Sequence, residues 1–144
     1  MALDRGGQPA VPSDLANAAN ERVLAYLEDL SAHGDLADML RTAVEPLGDV
    51  QVFCPDPASY RYVLVASRGI VFGFAVGQHS IVFRFDPRMR ERAILTGGVA
   101  WPECGEEWVA VVSQRPDDDW PSVDVRFWAR KAYVYARALR ASIA

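Results

Sequence analysis

Seven consecutive residues, Ile70 to Val76, carry no polar side chain and are bracketed by Ser67-Arg68-Gly69 and Gly77-Gln78-His79. A run this short, rich in β-branched and aromatic residues and bounded by turn formers, reads as a strand. Side chains alternate across a strand, so Ile70, Phe72, Phe74 and Val76 are predicted on one face and Val71, Gly73 and Ala75 on the other. Both faces are then apolar, which places this strand centrally in a sheet covered on both sides. Gly73 leaves room for a neighbouring ring or helix.

The flanking sequence supplies partners. Tyr60 to Ala66 and Ser80 to Phe85 have β composition and are joined to the central run by short turns, which predicts a three-stranded meander. Val50 to Cys54 is a shorter strand, and the prolines of Cys54-Pro55-Asp56-Pro57 suit either an edge or a loop. Trp108 to Ser113 is a further strand. Between them, Asp86-Pro87 starts a short helix that runs to about Leu95 and stops at Gly97-Gly98.

Helical periods occupy both ends of the chain. Ser13 is predicted to cap a first helix with an apolar stripe of Ala19, Val23, Tyr26, Leu27 and Leu30, closed by His33-Gly34. Asp35 then caps a second, striped by Leu36, Met39, Leu40, Ala43, Val44 and Leu47, and the two read as an antiparallel hairpin. Pro121 opens a long helix to about Ala141, with Asp117, Asp118, Asp119 and Asp124 near its positive end and Arg137 and Arg140 near its negative end. The expectation is an α+β fold: an antiparallel sheet of four to five strands with an N-terminal helical hairpin, a short helix and a long C-terminal helix packed on it. Residues 1–11 read as a flexible leader and 12–144 as one domain.

The chain has 19 acidic and 15 basic residues for a net charge of -4, and Lys131 is its only lysine. A mildly acidic whole does not draw polyanions, so nucleic-acid binding requires a local basic face. No stretch reads as a signal peptide or a membrane span, which predicts a cytoplasmic protein without a membrane partner, its Cys54 and Cys104 reduced.

Residues that would carry catalysis are poorly supported. Cys104 lies among Glu103, Glu106 and Glu107, whose charge disfavours a thiolate. Cys54, in a constrained loop, is the better nucleophile and would need His79 beside it; the plain alternative is a small buried hydrophobe and a solvated turn histidine. His33, Cys54, His79 and Cys104 contain no close ligand pair, so neither a metal nor a cofactor is expected. The run Asp117 to Asp119 complements a helix dipole rather than building a calcium loop. Gly69, Gly73 and Gly77 lie in and around a strand, where phosphate loops do not. Catalysis is therefore not expected, a thiol-dependent enzyme using Cys54 being one alternative.

Binding chemistry is better represented. Arg126, Arg130, Tyr133, Arg137 and Arg140 recur at spacings of four and three, which lines them on one stripe of the C-terminal helix. Phe127, Trp128, Val134, Tyr135, Ala138 and Leu139 are assigned to its core face, leaving the arginines outward, where a solvated face is the plain reading. Arg84, Arg88, Arg90 and Arg92 form a second basic set, and the two would make an anionic-partner site if they adjoin. All four tryptophans fall in the last third, and Trp101 and Trp120, each followed by proline, are candidates to rim one pocket. Together these predict a small binding or interaction module with a protein partner or self-association; nucleic-acid or nucleotide-phosphate binding through the arginine stripe is the other alternative.

Overall fold

The computed structural model describes residues 11–55, 61–112 and 124–143. Its strands are β1 (Val50–Phe53), β2 (Val63–Ser67), β3 (Ile70–Val76), β4 (Ser80–Arg84), β5 (Val99–Ala100) and β6 (Trp108–Val112). They form one antiparallel sheet in the order β1-β2-β3-β4-β6-β5. The α-helices are α1 (Glu21–Leu27), α2 (Gly34–Val44), α3 (Pro87–Leu95) and α4 (Val125–Ile143). The α+β class and the long closing helix are as expected, and the strand count is one higher because β5 is too short to carry a periodic signal. β1 joins the sheet at its edge.

β3 is buried along its whole length, but its side chains do not alternate as the sequence predicts. Val65 pairs with Gly73 while Ala66 pairs with Val71, so a bulge leaves Phe72 as the extra residue. Ile70, Phe72 and Ala75 join the core under α4, whereas Val71, Phe74 and Val76 join the core under α1. Phe74 and Val76 are therefore on the opposite face from Phe72.

Two apolar faces require two covers, and this decides where the N-terminal helices go. Val23 and Leu27 of α1, with Leu15 from a preceding 3-10 turn, pack on the face carrying Phe74 and Trp108. Leu36, Leu40, Ala43 and Val44 of α2 pack on the other, together with α4 and Ala93 of α3. The two helices thus follow one another as expected, but their stripes face opposite sides of the sheet instead of each other. Between them residues 30–33 cross the strand ends, held by Tyr62 N–H to the Leu30 carbonyl (3.2 Å), Gly77 N–H to Ser31 (2.7 Å) and His33 N–H to Gly77 (2.8 Å).

Local capping departs from the sequence reading at two places, Ser13 and Asp35. Ser13 opens a 3-10 turn and caps no α-helix; α1 begins only at Glu21. His33, rather than Asp35, caps α2, its Nδ1 accepting the Asp35 N–H at 3.1 Å. Asp124 accepts the Phe127 N–H at 3.1 Å at the start of α4, and Pro121 lies outside the described residues, as do Asp117, Asp118 and Asp119. The Asp86 cap of α3 is as read: its carboxylate accepts the Met89 N–H at 2.8 Å, with Pro87 in the first turn. Asp86→Ala is expected to cost about 1 kcal/mol, seen as a lower urea midpoint at unchanged m.

Candidate functional site

α4 approaches β3 closely because its innermost residues are Ala129, Ala132 and Ala136, all fully buried, flanked by Val125 and Trp128. This corrects the expected core face in part: Trp128 is buried and Phe127 and Leu139 pack against the core as expected. Val134 is 58% exposed, Ala138 is exposed, and Tyr135 reaches the end of the sheet.

The arginine stripe divides into two parts. Tyr133 donates its hydroxyl hydrogen to the Gly48 carbonyl at 2.6 Å, and Arg137 donates to the Tyr133 oxygen at 2.7 Å while its guanidinium lies 5.3 Å from that ring. Both therefore tie α4 to the loop before β1. Arg140 lines a cleft with Asp14, Asp49 and Arg68, where Arg68 pairs with Asp49 at 3.3 Å. Arg126 and Arg130 are exposed.

The other basic set meets α4 on its far flank. The Arg92 guanidinium lies 5.6 Å from the Phe127 ring centre and the Lys131 ammonium 5.4 Å from the same ring, so α3 and α4 each bring a cation to one aromatic ring. Beside them runs a groove of about 560 Å³ whose walls include Arg88, Arg92 and Leu95 of α3 and Lys131 and Val134 of α4, with Asp86 and Glu91 also present. Leu95 is 79% exposed. Arg130 stands one turn before Val134 and so borders the α4 wall. Neither Leu95 nor Val134 was expected to be functional; only the meeting of the two helices identifies them.

Arg84 does not join this surface. It is buried on the α1 side, 5.5 Å from the Trp108 ring, its Nε donating to Glu107 Oε1 at 3.0 Å and its Nη2 paired with the same oxygen at 2.9 Å. Glu107 Oε2 accepts the Tyr135 hydroxyl, so this carboxylate joins α4 to β4 at the end of the sheet. Burial, then the bond to Glu107, raises the Tyr135 phenol well above its ordinary range and keeps it protonated.

Trp101 and the arginine stripe lie on opposite sides of the sheet: Trp101 packs edge-on against Tyr26 of α1, with ring centres 6.3 Å apart, and belongs to the α1-side core. Trp120 lies outside the described residues. Cys104 is buried, and burial, followed by Glu103, pushes its thiol up to about 12. The Cys54 Sγ sits 3.7 Å from the Arg61 carbonyl. His79 is exposed in the β3–β4 turn, and two strand spacings, about 10 Å, separate that turn from the end of β1. Among the described residues no cluster of His, Cys, Asp and Glu could hold a metal ion, and no helix is long and apolar enough to cross a membrane.

Comparison with known proteins finds no matching family model, no matching curated protein and no matching solved structure.

Proposed function

We propose that the protein is a cytoplasmic, non-catalytic docking module whose α3–α4 groove receives an acidic, partly apolar segment of a protein partner. The observation that carries this reading is the juxtaposition of Arg92 and Lys131 over Phe127 with exposed Leu95 and Val134 alongside. Apolar side chains rimmed by cations fit an amphipathic segment whose leucine-like residues enter the groove and whose carboxylates meet the rim. Arg88 extends that rim, while Asp86 and Glu91 limit its appeal to a continuous polyanion.

The test is calorimetric titration of the full chain with an amphipathic Glu/Leu peptide, a scrambled peptide of the same composition, and duplex DNA. The patterned peptide is expected to bind best, and the double variant Arg92→Glu, Lys131→Glu to weaken it by tenfold or more, about 1.4 kcal/mol. Equal binding of patterned and scrambled peptides removes the reading. Steeply salt-dependent binding of DNA alone transfers the function to nucleic acid. Light scattering that shows a dimer abolished by the same double variant makes a second copy of the chain the partner.

A further inference from the structure

A second cleft, of about 490 Å³, opens on the other flank of α3 and is lined by Phe85, Pro87, Arg90, Glu106, Glu107 and Tyr135. None of these residues lines the α3–α4 groove, so the two clefts are separate surfaces.

The cleft has one unmet demand. Arg90 Nε is buried and has no hydrogen-bond partner among the described residues. A buried guanidinium N–H without an acceptor is costly, and an anion that supplies one recovers that cost on binding. Glu107 lines the same cleft but does not supply it: its carboxylate meets Arg84 and Tyr135, and Arg90 Nε is left without a partner among the described residues. The Tyr135 hydroxyl spends its hydrogen on Glu107 and keeps lone pairs that can accept. Exposed Glu106 adds a second acceptor, and Phe85 and Pro87 supply apolar contact for carbon.

We propose that this cleft binds a small carboxylic acid bearing a neighbouring amino or hydroxyl group, its carboxylate on Arg90 and its donor on Tyr135 and Glu106. One open cation beside two carboxylates suits a single carboxylate that carries its own donor better than a phosphate dianion, whose extra charge the site leaves unpaired.

The experiment is an NMR titration of the full chain with glycine, glycolate, acetate and inorganic phosphate, reading the Arg90 Nε–Hε correlation in the parent chain and, in the parent and every variant alike, the backbone amide shifts of positions 90, 106, 107 and 135. Glycine or glycolate is expected to give saturable shifts at millimolar concentration, and acetate to bind at least about fivefold more weakly. Arg90→Lys, which retains charge but removes Nε, is expected to abolish the response, and Arg92→Lys to leave it intact. Tyr135→Phe is expected to weaken glycine and glycolate while sparing acetate, which separates loss of the site from loss of the fold. Absence of any saturable shift, an undiminished response in Arg90→Lys, acetate as tight as the other acids, or phosphate as the tightest probe each overturns the proposal. Because the α3–α4 groove shares no lining residue, the outcome is independent of peptide binding there.

Discussion

Gly73→Ala is expected to lower stability by about 2–3 kcal/mol, near the upper end for overpacking a core. A methyl group at this position would sit 2.7 and 2.8 Å from Cδ1 and Cε1 of Phe83 and 3.2 Å from Cγ2 of Val65. Phe83 is fully buried and packs against Phe85 at 6.2 Å, so its ring has little freedom to yield. Removing glycine from a strand interior ordinarily gains about 0.5–1 kcal/mol, which the clash exceeds. Chemical denaturation measures the loss. A cycle with Phe83→Leu identifies its source: the leucine is expected to cost stability alone and to restore part of it in the Gly73→Ala background, with a coupling of about 1 kcal/mol. Additive effects would mean that the Phe83 ring and position 73 are not in contact in solution.

Glu107→Ala is expected to cost about 2–3 kcal/mol, below the 3–5 kcal/mol typical of breaking a fully buried pair because this carboxylate is about one third exposed. The substitution leaves the Arg84 guanidinium, only 9% exposed as a side chain, with the Val71 carbonyl at 3.4 Å and the Trp108 ring as its remaining contacts. It also removes the acceptor of the Tyr135 hydroxyl. Most of the cost is that of stranding a charge, so adding Arg84→Met to Glu107→Ala is expected to return at least half of the stability. Urea midpoints for the single and double variants decide the matter. A change below about 0.5 kcal/mol in the single variant would reduce Glu107 to an ordinary surface carboxylate.

These two positions differ in how far sequence exposes them. The glycine inside an apolar strand signals a close approach, and Phe83 fulfils it. Nothing local connects Arg84, Glu107 and Tyr135, which are 23 and 28 residues apart in successive steps. Tyr135 reads as a core residue of an amphipathic helix, and only its position beyond the strand ends shows that its hydroxyl meets a carboxylate. The candidate site has the same character. Arg92 and Lys131 are visible as members of two basic sets, but their meeting over Phe127 depends on α3 lying beside α4.

Sequence by itself determined the strands from residue 50 to 84, the capped helix at Asp86-Pro87 and the long closing helix, because turn chemistry, capping and side-chain period act within a few residues. Tertiary structure decided the rest. It sent α1 and α2 to opposite faces, since a sheet apolar on both sides is left half exposed if both helices pair with each other. It inserted the bulge at Phe72, turned Ala129, Ala132 and Ala136 inward in place of Val134 and Ala138, and separated Trp101 from the arginine stripe. A helix with apolar residues around most of its circumference does not encode which sector is buried; the shape of the surface it lands on selects it, and here small alanines allow the closest approach.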